Sequence, residues 1–314
     1  MRNNHSYFSS HARDWLNFIG DEISANTLKT YSLALRPLLS FFKSKEIEKP
    51  TRADLRSYVN SLRHTPIGTG KNKGKHRAAA TVNLYITVAR LFCQYLFANG
   101  VLPTDISLGM KGLKQGREHK KDALTALQAR MLLKSIDTST LKGKRDYAML
   151  TLTATSGLRT IELSRALTSD ISDTTDSCFL RVQGKGRNDK SERVMVARQA
   201  ADAINRYLTA RGLNITTDAP LFAGCRSESP LTSKSISRII KAALENAGLK
   251  TARITAHSLR HTAATLALQS GANITQVQQM LRHFHINTTM LYINDINRLQ
   301  NLSEQLAANS IFHQ

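Results

Sequence analysis

Cys178-Phe-Leu-Arg-Val-Gln183 and Arg193-Val-Met-Val-Ala197 are the stretches that decide the architecture. Both are short and rich in branched and bulky side chains, the composition of strands. Gly184-Lys-Gly-Arg-Asn-Asp-Lys-Ser-Glu192 lies between them, polar and glycine-containing, and reads as a hairpin loop. Around this pair the apolar residues recur at helical spacing, with helices expected at about 145–155, 199–211, 233–247, 257–269 and 274–282. One small antiparallel sheet among helices is an α+β arrangement and excludes a doubly wound parallel sheet.

Upstream, the chain reads as helix throughout. Thr27 opens a helix with Leu28, Tyr31, Leu35, Leu38 and Phe42 on one stripe, and Pro37 is expected to kink or split it. Thr51 and Asp54 form a capping box ahead of Leu55, Tyr58, Val59 and Leu62. Thr81 starts a longer helix with Val82, Tyr85, Ile86, Ala89, Cys93 and Leu96 on one face, ended by Asn99-Gly100. Lys111-Gly-Leu-Lys-Gln-Gly-Arg-Glu-His-Lys-Lys121 is basic, glycine-containing and poor in apolar residues, so it reads as a linker. Thr125 and Gln128 make the next capping box. The chain of 314 residues therefore divides into an all-helical part, 1–117, and a mainly helical part with the small sheet, 118–314.

The charge points to a polyanionic partner. There are 44 Lys and Arg against 23 Asp and Glu, a net +21. Both parts share the excess: residues 1–121 carry 20 basic and 8 acidic side chains, and residues 122–314 carry 24 and 15. No acid occurs between Asp54 and Asp105, or between Glu245 and Asp295. Carboxylates are excluded where a chain lies against phosphates, because each repels the ligand. The loop Pro66–Arg77 is glycine-rich and basic, with Lys71, Lys73, Lys75 and Arg77; it is either a DNA-contacting loop or a solvated one. Its glycines lack the strand-to-helix context and the Ser/Thr of a nucleotide-binding loop. Lys114, Arg117, Lys120 and Lys121 in the linker are further candidates for phosphate contact.

Cys93, Cys178 and Cys225 are too scattered for a disulfide framework or a metal site and read as small buried hydrophobes in a reducing compartment. No signal-peptide core and no apolar run of spanning length is present, so a cytoplasmic protein acting on nucleic acid, not lipid, is expected. His257 and His261 stand at the four-residue spacing of a helical zinc pair, but no Glu follows the first and no third ligand accompanies them; no metal is expected.

Five short elements carry residues suited to attack on a phosphodiester. They are Arg159 in Ser156-Gly-Leu-Arg-Thr-Ile-Glu-Leu163, Lys185 in Gly184-Lys-Gly186, His257 and Arg260 in His257-Ser-Leu-Arg-His-Thr262, His283 in Leu281-Arg-His283, and Tyr292. This ordered set resembles the tyrosine recombinase, or phage integrase, family, and the resemblance extends over nearly the whole chain. It implies a helical core-binding, SAM-like domain over 1–117 and a catalytic domain over 118–314. It also implies an enzyme that cuts and rejoins DNA strands at specific sites through a 3′-phosphotyrosine, without cofactor. A homotetramer on double-stranded core sites is expected, exchanging strands through a Holliday junction. The lack of an additional arm-binding domain suggests a simple, Xer-like or mobile-element enzyme.

The residue chemistry supports the same roles. Two permanently charged guanidiniums, Arg159 and Arg260, suit the charge that gathers on non-bridging oxygens. Glu162, one turn after Arg159, is placed to orient it. Taken alone Tyr292 reads as a core tyrosine beside Leu291 and Ile293; its place in the ordered set implies the nucleophile, whose ionised form the two arginines would favour. Tyr207 sits in an ordinary amphipathic helix. Lys185 on its loop suits general-acid protonation of the leaving 5′ oxygen, with Lys190 the alternative in the same loop. His257 assists proton transfer or binds phosphate, and His283 donates to a non-bridging oxygen. The family usually carries Gly before the second His; Arg282 stands here, implying a different backbone turn or an added phosphate contact. Past Tyr292, Leu299, Leu302 and Leu306 share a helical stripe, with Ile311 and Phe312 beyond it. The resemblance implies that this tail docks into a neighbouring subunit; the alternative is a helix packed on its own domain. Two other readings of the whole are a type IB topoisomerase-like nicking-closing enzyme and a catalytically silent DNA-binding regulator.

Overall fold

The computed structural model describes residues 5–68, 72–114, 122–184, 189–225, 227–286, 288–290 and 309–312, with residues 5–7 described by backbone alone. The chain divides into two compact units, Met1–Gly116 and Arg117–Gln314.

Among the described residues, four helices form the first unit: α1 (His5–Gly20), α2 (Ala25–Ser44), α3 (Arg52–His64) and α4 (Ala79–Ala98). α4 touches the other three. Its buried side chains, among them Ile86, Phe92, Cys93 and Leu96, meet Trp15 of α1, Leu35, Leu38 and Phe42 of α2, and Leu55 and Tyr58 of α3. Trp15 packs on Phe92 at 5.6 Å between ring centroids, adding a directional contact to the buried area. The Thr51–Asp54 box is present at the start of α3: the Thr51 N–H donates to the Asp54 carboxylate at 2.8 Å, and the Asp54 N–H donates to Thr51 Oγ1 at 3.3 Å. Two expectations need correction. α2 is one helix through Pro37, so Pro37 does not split it. The carbonyl that loses its partner belongs to Leu33, which lies on the exposed side and can be solvated. α4 begins at Ala79, ahead of Thr81, on an Ala78 cap without a side-chain hydrogen bond. α1, for which the sequence raised no expectation, completes the core.

The second unit contains α5 (Ala126–Lys134), α6 (Leu141–Ser156), α7 (Thr160–Arg165), strands β1 (Ile171–Asp173), β2 (Cys178–Val182) and β3 (Glu192–Met195), then α8 (Arg198–Ala210), α9 (Ser233–Asn246), α10 (Ala256–Gln269) and α11 (Ile274–Leu281). The strands form one antiparallel sheet in the order β1-β2-β3, with Leu180 facing Ile171 on one side and Val194 on the other. β1 is only three residues long, too short to show alternation in the sequence. α6 is the hub, packed against α5, α8, α9 and α10. Its Met149, Leu150 and Leu152 are buried with Leu180, Ile204, Phe222, Ile240 and Leu259. Tyr207 is buried in α8 and stacks on Phe222, and burial raises its pKa. Cys93 and Cys178 are buried; Cys225, expected to be buried too, is exposed, and its Sγ accepts from Arg145 Nη1 at 3.1 Å. Among the described residues no helix is long and apolar enough to cross a membrane.

Candidate active site

The site forms where α6 ends, α7 begins and α10 and α11 meet. α6 stops at Gly157, which adopts φ +63 and caps the helix. A Cβ there would lie 2.6 Å from Leu281 Cδ2, so that side chain would have to shift, and the positive φ itself favours glycine. This tight passage presents the Gly157 carbonyl to Arg260.

Arg260 is 2% exposed. Its Nη1 donates to Gly157 O at 2.5 Å, and its Nη2 donates to Leu281 O. One guanidinium thus ties the end of α6 to the end of α11. Both of these acceptors are neutral carbonyls, and the guanidinium sits in a poorly solvated place, where a charge acts most strongly.

Arg159 caps α7. Glu162 reaches back to its N–H at 2.7 Å and accepts from its Nη1 at 2.8 Å. The Glu162 side chain is fully buried, whereas that of Arg159 keeps 26% of its surface exposed. The buried carboxylate thus holds the guanidinium from its inner side.

Arg282 adopts φ +54 and ψ +48, the left-handed conformation that glycine favours, so the turn before His283 keeps a glycine-compatible course. Its guanidinium turns inward. Nη2 donates to Glu162 Oε2 at 2.6 Å and Nη1 to Met280 O at 2.7 Å, with Glu192 3.6 Å from Nε.

His283 follows directly. Its Nδ1 lies 2.9 Å from Oγ1 of the buried Thr289, and its backbone is held on both sides by Gln278. Burial pushes its pKa down to about 4, helped by the positive charges of Arg260, Arg159, Arg282 and His257. The imidazole is thus neutral near pH 7, able to donate one hydrogen bond from the ring nitrogen that Thr289 does not engage. His257 is exposed in the first turn of α10, its ring 4.7 Å from that of His261 in an edge-on contact. Among the described residues, no group of three or more His, Cys, Asp and Glu is arranged to hold a metal ion.

The structure brings together Arg159, Glu162, His257, Arg260 and His283. Tyr292 and Lys185 lie outside the described residues, as do Lys71, Arg117, Lys120 and Lys121. Lys73, Lys75 and Lys114 are exposed, and Arg77 donates to Thr65 O at 2.9 Å. Lys190, the alternative acid, is engaged: its Nζ is 2.5 Å from the buried carboxylate of Asp170, which also accepts from the Leu167 N–H. Sequence reasoning missed Thr289, Asp170 and the inward turn of Arg282. None had a local signal, because each partner lies far away in the chain or is a common polar residue.

Two guanidiniums and a neutral imidazole converging on one corner define a site for a phosphate-like anion, built in an α+β unit that follows a helical one. The sequence pattern of the phage integrase family matches residues 122–298, and that of the phage integrase N-terminal SAM-like domain matches residues 14–100. The tyrosine recombinase XerD of Listeria monocytogenes serotype 4b (strain F2365) is 30% identical over 287 residues, covering 89% of this chain and 92% of its own. The tyrosine recombinase XerD of Corynebacterium glutamicum is 29% identical over 291 residues, covering 90% and 92%. In fold, the chain resembles the XerH site-specific recombinase bound to a palindromic difH substrate, with a TM-score of 0.71 at 20% identity, over 90% of this chain and 79% of that one. A lambda integrase (75-356) dimer bound to a COC′ core site gives a TM-score of 0.68 at 19% identity, over 90% and 94%. The chain belongs to the phage integrase family, the tyrosine recombinases.

Proposed function

We propose that this recombinase cuts and rejoins double-stranded DNA at specific core sites through a 3′-phosphotyrosine formed on Tyr292. The observation that carries the reading is the convergence of Arg159, Arg260 and His283 on one corner, with Glu162 fixing Arg159. Arg159 and Arg260 bind the non-bridging oxygens of the scissile phosphate, and His283 donates to one of them. The Tyr292 phenol oxygen forms a bond to phosphorus as the bond from phosphorus to the 5′ oxygen breaks. The phenol proton passes to solvent, directly or by way of His257, and Lys185 delivers one to the 5′ oxygen, so the step is proton-balanced. His257 assists proton transfer or steadies the phosphate. A 5′ hydroxyl from a second duplex then displaces the tyrosine. One phosphodiester is exchanged for another, and no nucleotide hydrolysis is needed.

Lys185 is favoured over Lys190 because the ion pair with Asp170 holds Lys190 against the protein. Residues 1–117 grip the core site and residues 118–314 perform the chemistry, with the exposed basic groups Lys73, Lys75 and Lys114 meeting phosphates alongside Arg77, Lys71, Arg117, Lys120 and Lys121. The assembly is a homotetramer on two sites; lambda integrase has been seen as a tetramer bound to a Holliday junction. The tail past Tyr292 docks into a neighbour; Ile311 and Phe312 stand 71% and 78% exposed, apolar surface that a groove would cover.

The test is to trap protein on nicked duplex fragments of the source DNA and sequence what remains covalently bound. A few discrete sites, each attached through a 3′ phosphate, support the recombinase. Dispersed sites with no pairing of two duplexes point to a topoisomerase-like activity, and no adduct at all points to a silent regulator.

A further inference from the structure

We propose that Arg282 is a positioning residue for strand cleavage: it offsets the buried charge of Glu162, so that the charge of Arg159 remains available to the scissile phosphate. The inference rests on Arg159 being a phosphate ligand, as proposed above.

Glu162 has two charged partners. Oε1 accepts from Arg159 Nη1 at 2.8 Å, and Oε2 accepts from Arg282 Nη2 at 2.6 Å. The carboxylate has no exposed side-chain surface, and Arg282 has 7%. Little water reaches this contact, so the charges act on each other strongly. With Arg159 alone, Glu162 would form a neutral buried pair, and the field of Arg159 at a phosphate would be largely cancelled. With Arg282 added, the trio carries one net positive charge. Arg159 is its most exposed member, at 26%, so that is where an anion can approach. Glu192 offsets less of this charge. It lies 3.6 Å from Arg282 Nε, beyond hydrogen-bond distance, and is partly solvated.

The backbone argues that the side chain at 282 has a purpose. φ +54 and ψ +48 are disfavoured for any residue with a Cβ, and glycine would fit without strain. An arginine there is held by Glu162 and by Met280 O, contacts that no glycine makes. Arg282 also spans from the turn before His283 to Glu192, where the hairpin loop bearing Lys185 enters β3. Three elements of the proposed site therefore meet at one guanidinium.

The test compares wild type, Arg282→Gln, Arg282→Gly and Arg282→Lys on a nicked duplex carrying a sequence that wild type retains covalently. Each duplex is made with an ordinary scissile phosphate and with a neutral methylphosphonate. Arg282→Gln is expected to cleave the phosphate roughly ten- to hundred-fold more slowly, at or below the loss from removing one direct donor to the transition state, because Arg282 acts through Arg159. On the methylphosphonate the same variant should come within about threefold of wild type, because Arg159 has less charge to stabilise there. Arg282→Lys should recover part of the loss. Arg282→Gly, which fits the backbone, should lose activity as Arg282→Gln does. Duplex binding and thermal unfolding of each variant report whether it is folded. If Arg282→Gln is unstable, the glycine variant carries the comparison. Equal losses on the two substrates would mean that Arg282 acts only as a structural brace and overturn the proposal, as would full activity of Arg282→Gly. If wild type forms no covalent adduct on any duplex, the recombinase reading itself fails, and the role of Arg282 with it.

Discussion

The helices of residues 5–98 close over Trp15, Leu38, Phe92 and Leu96, and Ser107 is the polar exception among the described buried residues of that unit. The unit that follows buries comparable apolar side chains and, in addition, Arg145, Asp146, Glu162, Asp170, Arg260 and His261. Burying an ion is costly unless it is paired or hydrogen-bonded. The first unit avoids that cost and keeps its charges outside, where basic groups suit a salt-sensitive grip on a polyanion. The second accepts it, and so holds fixed charges in low dielectric, where they can stabilise a charged transition state without reorganising. On the proposed function, grip and chemistry are thus allotted to different kinds of interior.

That division is sharpest for Arg260 and Phe92. Replacing Arg260 by Met should lower strand cleavage by roughly a hundred- to a thousand-fold while leaving duplex binding nearly intact. Replacing Phe92 by Ala should cost about 3–5 kcal/mol of stability, read by urea unfolding, yet leave the cleavage rate of a saturated complex close to wild type. A Phe92→Ala complex as slow as Arg260→Met would break the comparison.

Within the second unit, the two lysines of the hairpin loop should separate. Lys185→Ala should cleave ordinary DNA slowly and recover on a substrate with sulfur at the 5′ bridging position, where no acid is needed. Lys190→Ala loses its pairing with Asp170, so its smaller defect should persist on the sulfur substrate. Recovery of Lys190→Ala alone would reverse the assignment.

The grip of the first unit is tested by salt. Deleting loop 68–77 should make the fall of log binding constant with log salt shallower by about 0.9 for each phosphate that the loop neutralises. An unchanged slope would leave Lys73 and Lys75 as solvated charges.

The smallest effect concerns His283. Its pKa in the folded chain, about 4, lies below that of a free histidine at about 6.5, so the unfolded chain binds the proton more readily as pH falls. Stability from this group should be constant above about pH 6.5 and fall between there and about 4. Following the imidazole by NMR should show a neutral ring at pH 6; a midpoint near 6.5 would mean that burial and the surrounding cations do not act on it.

In the first unit α2 and α3 were legible because their buried residues recur at helical spacing, Leu35, Leu38 and Phe42 in α2 and Leu55, Tyr58, Val59 and Leu62 in α3, whereas α1 was not read. The hairpin and the capping boxes at Thr51 and Thr125 carried equally local signals. Pro37 misled because a local rule ignores which side of the helix faces water. In the site, residue types in order suggested Arg159, Arg260 and His283. The contacts that hold them were not legible. Arg260 to Gly157 spans 103 positions, and Arg282 to Glu162 spans 120, and no periodicity connects such partners. The unusual residue at 282 was visible, but the direction of its side chain depended on a buried carboxylate on another helix.

The central claim is that Tyr292 forms the covalent bond while other residues bind the phosphate. The direct measurement is to digest the protein–DNA adduct with protease and locate the modified residue by mass spectrometry, with Tyr292→Phe run in parallel. The account predicts a single nucleotide-bearing peptide modified at Tyr292, and a Tyr292→Phe protein that binds the same duplex but yields no adduct. Modification at any other residue, or a normal adduct yield from Tyr292→Phe, would contradict it.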